Sequence, residues 1–361
     1  MKQKNNAKKK DKTRNMFDLD DLEKIKKIDP QNTYLSTDLL LKQCQEALVQ
    51  VSKIKVPDYS TVENIIFCGM GASIYGALIF QAIEGEKIKY PIQLISDYHL
   101  PIYANSKTLV ILTSYSGNTE EVLSTAKEAK QKSCKMLILT KGGELANFAK
   151  ENGVPCYIFD GKLNPAGIPR LGNGYSVIGL LGLLRNSKII DFNDELILSA
   201  IKNINVKKEE LKIKAKKDYK KYLNNIPVIF AAEHLSGNAQ ILRNQFNETS
   251  KTFSAFFLVP DLNHHLMEGL QFPKNSNLSF VFLNSTNYSS KIKLRMKLTK
   301  EVVIKNNQNV EEFQTSGSNK MEDFLEVMIY GAYLTLFLGL EHQQNPATNP
   351  WVDYFKDQLK K

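Results

Sequence analysis

Short apolar runs alternate with segments of helical length along most of the chain, and this alternation constrains the fold more than any other feature. In the first half, the predicted strands are residues 64–68, 92–96, 108–113, 135–140 and 156–159. In the second half, they are residues 226–232, 254–258, 278–283 and 301–304. Strands separated by helices of about ten to fifteen residues are typical of parallel sheets that are covered by helices on both faces. The sequence therefore predicts an α/β fold with two doubly wound halves.

Helical periodicity outside these runs predicts the domain organisation. A chain of 361 residues is long enough for two domains. We expect a basic tail over 1–16, a first domain over 17–190, a linking helix region over 191–222 and a second domain over 223–361 with C-terminal helices. The apolar stretch 324–340 contains Glu326 and two glycines, which favours a buried helix over a membrane span.

The charge of the chain is concentrated at its start. The formal net charge is +10, and the first fifteen residues hold seven basic residues and one acid. Such a block is typical of a solvated, disordered arm, although a weak contact with a polyanion stays open. Because the remainder is nearly neutral, we expect neither a specific nucleic-acid partner nor a membrane partner.

The cysteines indicate a reducing compartment. Cys44, Cys68, Cys134 and Cys156 are widely spaced and form no C-x-x-C pair, so they suggest neither a zinc site nor a disulfide framework. The basic start is not followed by an apolar segment, so we expect no secretion leader. These features predict a cytoplasmic protein without a metal.

A serine-rich turn follows the third predicted strand. Its sequence is Ser114-Tyr115-Ser116-Gly117-Asn118-Thr119, and a helix is predicted to begin at its end. The turn therefore lies at the carboxyl edge of a parallel sheet and at a helix N-terminus, where anions bind well. The hydroxyls of Ser114, Ser116 and Thr119 predict a phosphate cradle without the nucleotide P-loop signature. The alternative is that Thr119 only caps its own helix.

A glycine-rich turn, Gly69-Met70-Gly71-Ala72-Ser73, also joins a predicted strand to a predicted helix. Alone it is a weak signal, and its spacing does not match a dinucleotide fingerprint. Together with the serine-rich turn, it predicts two neighbouring sheet edges that face one phosphorylated sugar.

Several further segments add to what the two turns indicate about the family of the protein. They are Phe17 to Ile25, Asp97-Tyr98-His99-Leu100-Pro101, Pro169-Arg170 followed by Gly174-Tyr175-Ser176, Gln245 to Lys251, and Pro260-Asp261-Leu262-Asn263-His264. With the two turns, they resemble the bifunctional phosphoglucose/phosphomannose isomerase family of the SIS (sugar isomerase) superfamily. The resemblance spans most of the chain and implies two SIS-type domains.

The resemblance also implies roles for individual residues. Ser114, Ser116 and Thr119 would bind the phosphate, and Ala72 and Ser73 would lie close to the sugar. The implied reaction interconverts glucose 6-phosphate, and also mannose 6-phosphate, with fructose 6-phosphate without a cofactor. The family is dimeric, so we expect a homodimer.

Four further residues would carry the chemistry. Glu248 would be the general base that moves a proton between C1 and C2, and Arg170 would stabilise the cis-enediolate. His264 would assist ring opening in the partner's cleft, and Lys356 matches the family's ring-opening lysine through a short segment. Each has a plainer interpretation: a surface carboxylate, a structural ion pair, a loop histidine beside His265, and a solvated lysine.

The sequence departs from the family pattern at several places, including Ile74-Tyr75, where the family has small residues at the start of a helix. Ala72 replaces a glycine and would narrow the pocket, and His265-Leu266 replaces an Asn-Glu pair after the histidine. A non-catalytic phosphosugar sensor is the alternative function. The presence of both Glu248 and His264 counts against it. A related aminosugar synthase would need a glutamine-hydrolysing domain, and nothing in the chain supplies one.

Overall fold

The computed structural model describes residues 16–274 and 276–359. The first fifteen residues of the predicted basic arm lie outside these ranges. The described strands are β1 (Asn64–Gly69), β2 (Ile92–Ile95), β3 (Thr108–Ser114), β4 (Lys135–Thr140), β5 (Cys156–Ile158), β6 (Ile226–Ala232), β7 (Ala255–Val259), β8 (Leu278–Asn284) and β9 (Asn309–Gln314).

Helices follow most of these strands. In chain order they are α1 (Leu22–Ile28), α2 (Thr33–Asp38), α3 (Leu40–Val51), α4 (Tyr75–Glu84), α5 (Glu120–Gln131), α6 (Gly143–Asn152), α7 (Gly179–Asn186), α8 (Asp194–Asp218), α9 (Ser236–Glu248), α10 (Leu262–His265), α11 (Ser290–Lys305), α12 (Lys320–Glu341) and α13 (Pro350–Leu359).

The strands form two separate parallel sheets. The first has the order β2-β1-β3-β4-β5, and the second has the order β7-β6-β8-β9. Every described pairing is parallel, including Gly69 with Thr113 in the first sheet and Asn284 with Gln314 in the second. Because the strands are parallel, the connections at their carboxyl ends meet at one edge of each sheet. The prediction of an α/β fold with two parallel sheets flanked by helices is confirmed.

One predicted strand is wrong. Residues 301–304 belong to the last turn of α11, and the fourth strand of the second sheet is β9. The β-branched run Val302-Val303-Ile304 favours a strand locally, but it continues the helical spacing of buried residues that starts at Ile292. Strand β9 is a mostly polar edge strand in which only Phe313 is buried, so its periodicity is weak.

The two halves share a continuous core. One cluster of buried apolar residues includes Leu109 and Ile111 of β3 together with Phe230 and Phe282 of the second sheet. Helices α4 and α9 meet across the halves at Gly237, where an added Cβ would come within 2.8 Å of Ile79 Cδ1. The domain boundaries at 190 and 223 remain a prediction, since the core does not separate there.

Helix α12 is the central helix of this core. It is long and apolar enough to cross a membrane by length and composition, but its apolar window is completely buried by the rest of the protein. Burial inside the fold explains the apolar sequence of α12. The stretch 324–340 is therefore a buried helix, as expected from its sequence. The four cysteines are free thiols, and three of them are buried.

Candidate active site

The serine-rich turn after β3 folds around its own hydroxyl groups. The hydroxyls of Ser114 and Thr119 lie 2.7 Å apart, and the backbone N–H of Gly117 donates to Ser114 Oγ at 3.1 Å. Thr119 occupies the N-cap position of α5, but its side chain makes no capping hydrogen bond. The first N–H groups of α5 therefore lack a side-chain cap, and an anion could accept from them.

Gly117 makes this tight turn possible. Its φ of +76° lies in the left-handed region, and an added Cβ would lie 1.8 Å from the carbonyl oxygen of Gly142. The turn after β4 therefore packs directly against the turn after β3. Ser116 lies at the exposed rim, where its hydroxyl accepts from the N–H of Asn118 at 3.3 Å.

The glycine-rich turn after β1 joins the same edge. Gly71 has a φ of +54°, and a single 3₁₀ turn over Gly71–Ile74 leads into α4. Ser73 Oγ accepts a hydrogen bond of 3.0 Å from the backbone N–H of Tyr115. A small cavity between the two turns is lined by residues that include Ala72, Ser73, Ser114 and Pro169. The structure thus brings together the residues predicted to bind phosphate and sugar.

Pro169 connects this edge to an ion pair between a buried arginine and a partly exposed glutamate. Arg170 follows it, is 1% exposed, and donates through Nη1 to Glu248 Oε2 at 3.2 Å. Its Nε also donates to Thr249 Oγ1 at 3.0 Å. Burial lowers the pKa of the Arg170 guanidinium, and Glu248 opposes that shift. An arginine keeps its charge at neutral pH, so the pair places a fixed cation beside a carboxylate.

The segment before α13 completes the surroundings of Glu248. Arg170 Nη2 donates to the carbonyl oxygens of Pro346 at 2.5 Å and Ala347 at 3.3 Å. The amide of Asn349 donates to Glu248 Oε2 at 3.3 Å. Asn349 was missed by sequence reasoning, because an Asn- and Pro-rich segment indicates a turn but not its distant partner.

Lys251 joins the same two segments. Its ammonium donates to the carbonyl oxygens of Glu248 and Thr348, both at 2.5 Å. Burial and the neighbouring Arg170 lower the pKa of Lys251 to about 8. The segment Gln245 to Lys251 resembles the isomerase family, but nothing in the sequence indicates that Lys251 contacts the carbonyl oxygen of Thr348.

Within the described part of the chain, the side chains of His264 and Lys356 form no hydrogen bond or ion pair with this cluster. Glu248 ends α9 near the amino edge of the second sheet, whereas His264 follows β7 at the carboxyl edge. The five residues of β7 span roughly 16 Å at about 3.3 Å per residue. Both His264 and Lys356 are exposed, and neither side chain forms a hydrogen bond or ion pair with another residue in 16–274 or 276–359.

Several known proteins are similar to this chain over most of its length. A family profile described as the bacterial phospho-glucose isomerase C-terminal SIS domain matches residues 211–359. The bifunctional phosphoglucose/phosphomannose isomerase of Caldicellulosiruptor bescii is 30% identical over 312 residues, covering 82% of this chain and 90% of the relative. The protein of the same name from Aquifex aeolicus is 30% identical over 315 residues, covering 84% of this chain and 92% of the relative.

A solved structure supports the fold independently. A hypothetical protein from Thermus thermophilus matches with a TM-score of 0.70 and 18% identity, covering 94% of this chain and 93% of that chain. This likeness concerns the fold alone. The curated relatives, in contrast, match at higher identity over almost their whole length. The chain therefore belongs to the bifunctional phosphoglucose/phosphomannose isomerase family.

Proposed function

We propose that this isomerase interconverts glucose 6-phosphate, and also mannose 6-phosphate, with fructose 6-phosphate. The observation that carries the proposal is the ion pair between the buried Arg170 and the partly exposed Glu248. Arg170 directly follows Pro169, which lines the cavity at the hydroxyl-rich edge. The names of the curated relatives support the same substrates. The hydroxyls of Ser114, Ser116 and Thr119 would hold the phosphate and so fix the position of the reacting carbons.

The proton transfer follows from the chemistry of the pair. After ring opening, the Glu248 carboxylate would remove the proton from C2 of the aldose and return it to C1, while the proton of the C2 hydroxyl passes to the C1 oxygen. The ketose then forms through a cis-enediolate. The Arg170 guanidinium would stabilise the negative charge on the enediolate oxygens. Because C2 is planar in this intermediate, glucose 6-phosphate and mannose 6-phosphate give the same species.

A coupled assay tests this proposal directly. Purified protein should form fructose 6-phosphate from glucose 6-phosphate and from mannose 6-phosphate, and the activity should persist after treatment with a chelator. Glu248→Gln should remove both activities. Phosphosugar binding in calorimetry without any turnover by the wild type would instead favour a sensor and contradict the enzyme.

We also propose that the active unit is a homodimer. Two observations support it: His264 lies at the opposite edge of the second sheet from Glu248, and α13 exposes apolar side chains. Trp351 is 82% exposed, and Tyr354 and Phe355 are about 60% exposed. A second copy would cover such a face and could bring its His264 to the cleft of the first copy.

Mixing two inactive variants tests the shared site. Glu248→Gln and His264→Ala homodimers would each have two defective sites, but a mixed dimer would have one site with both native residues. Random exchange of equal amounts should restore about a quarter of the wild-type activity. No recovery after exchange of subunits, shown by mass spectrometry, would contradict the proposal.

The expected setting is cytoplasmic carbohydrate metabolism, namely glycolysis and gluconeogenesis. Support comes from the free cysteine thiols and from the phosphorylated substrates proposed above. Fractionation of cells that express the tagged protein from its own promoter tests the location. Activity recovered with the membrane or secreted fraction would contradict it.

A further inference from the structure

The second sheet has its own hydroxyl-rich connection in the place that the phosphate cradle occupies in the first. The first four strands of one sheet, β2-β1-β3-β4, match β7-β6-β8-β9 of the other in order and direction. The connection after β8 therefore corresponds to the connection after β3. It reads Ser285-Thr286-Asn287-Tyr288-Ser289, and it also leads into a helix, α11.

This connection borders a cavity of about 320 Å³. Its lining includes Phe282, Met296, Asn284, Gln314, Lys293 and Lys297. A volume near 300 Å³ is at the lower end of the range for small-molecule sites. The cavity lies at the carboxyl edge of the second sheet, where parallel sheets bind their ligands.

The charged residues that line the cavity are all lysines of α11. Helix α11 carries six basic residues and one acid, so its net charge exceeds that of all the residues after the first fifteen taken together. Lys300 pairs with Glu312 at 2.5 Å. Lys293 and Lys297 also line the cavity, and within the described ranges their ammonium groups form no hydrogen bond or ion pair. Two such ammonium groups one helical turn apart suit a phosphate.

The N-terminus of α11 does not supply this anion site. The backbone N–H and the hydroxyl of Ser289 both donate to the Glu233 carboxylate, at 3.0 and 2.5 Å. The Ser285 hydroxyl is likewise engaged, because it donates to the buried Asp323 at 2.5 Å. An anion in the cavity would therefore bind the ammonium groups of the two lysines. In the first half, by contrast, hydroxyl groups and the N-terminus of α5 form the cradle.

Other polar groups of the cavity suit hydroxyls. The side-chain amide nitrogen of Asn284 donates to Glu312, and that of Gln314 donates to the carbonyl oxygen of Thr315. These bonds leave both amide oxygens as acceptors. We propose that the cavity is a second, non-catalytic site for a small phosphate ester that carries hydroxyl groups.

Equilibrium dialysis with radiolabelled glycerol 3-phosphate tests this site. The starting protein is the full chain with Ser114→Ala, Ser116→Ala and Thr119→Ala, so that binding at the active-site cradle is removed. This protein should still bind about one molecule per chain. Adding Lys293→Gln and Lys297→Gln should weaken binding tenfold or more, since two charge-assisted contacts are lost.

A matched pair on the same helix controls for overall charge. Lys291→Gln with Lys305→Gln removes the same charge from exposed positions outside the cavity lining, and it should change affinity less than twofold. An equal loss with both pairs would show a diffuse polyanion effect and overturn the proposal. Absence of binding to the cradle variant, or unchanged binding after Lys293→Gln and Lys297→Gln, would also overturn it.

Isomerase assays keep this test separate from the proposed function. In the otherwise native chain, Lys293→Gln with Lys297→Gln should leave kcat/KM within twofold of wild type when no glycerol 3-phosphate is present. A larger loss would place these lysines in the catalytic cycle and overturn a separate site. The dialysis result does not depend on whether the chain isomerises sugars.

Discussion

Replacing Glu248 by glutamine removes the proposed base with little change in shape. The amide oxygen of the new side chain can still accept from Arg170 and Asn349, which lie 3.2 and 3.3 Å from the native carboxylate. Arg170 also keeps its bonds to Thr249 and to the carbonyl oxygens of Pro346 and Ala347. We therefore expect the free energy of unfolding to fall by only about 1–2 kcal/mol.

The effect on catalysis should be much larger. General-base catalysis contributes roughly 10²–10⁴-fold, so kcat should fall by about that factor while binding of the substrate changes little. The assay is the coupled formation of fructose 6-phosphate, combined with NMR detection of deuterium at C1 or C2 in heavy water. The variant should lose turnover and deuterium incorporation together.

A second carboxylate serves as the control. Glu341 is buried and accepts hydrogen bonds from the N–H of Phe17 at 2.9 Å and the hydroxyl of Tyr219 at 3.3 Å, neither of which is a residue of the proposed site. Glu341→Gln should lower stability to a similar degree but keep kcat. A folded Glu248→Gln variant with kcat within tenfold of wild type would refute the assignment of the base.

Three further variants test the cradle and its surroundings. Ser114→Ala should raise KM roughly tenfold or more in steady-state assays, because the substrate phosphate loses a charge-assisted hydrogen bond; an unchanged KM would contradict the cradle. Gly117→Ala should unfold at a lower denaturant concentration than Gly153→Ala. Both glycines have positive φ, but only a Cβ at position 117 would collide with the carbonyl oxygen of Gly142. Equal unfolding midpoints would contradict the close packing of the two turns. The free energy of unfolding of the wild type, compared with that of Lys251→Met, should rise between about pH 8 and about pH 10.5. In this range the unfolded lysine holds its proton, whereas the folded one, with a pKa of about 8, has lost it. Parallel curves of the two proteins against pH in chemical denaturation would contradict this.

The sequence predicts the parts of the fold that depend on local pattern. Strand β3 is a continuous apolar run followed by a hydroxyl-rich turn, so both its burial and the position of the cradle can be inferred from a few residues. Strand β9 gives no such signal, because an edge strand exposed on one side tolerates polar residues such as Glu311 and Glu312.

Contacts between distant segments could not be predicted in the same way. Arg170 and Pro346 are 176 residues apart, and their hydrogen bond depends on how both halves pack. The resemblance to a family supplied roles for Arg170 and Glu248, but Asn349 and Lys251 acquire roles only through the fold. His264 shows the same limit, because its proposed role depends on a second copy of the chain. The role that the resemblance implies for Lys356 stays a prediction.

A crystal structure with fructose 6-phosphate bound would test the central claim most directly. We predict that the phosphate accepts hydrogen bonds from the hydroxyls of Ser114, Ser116 and Thr119, and that a Glu248 oxygen lies about 3–3.5 Å from C1 or C2. A sugar held with its phosphate away from this turn, or with C1 and C2 out of reach of Glu248, would contradict the account.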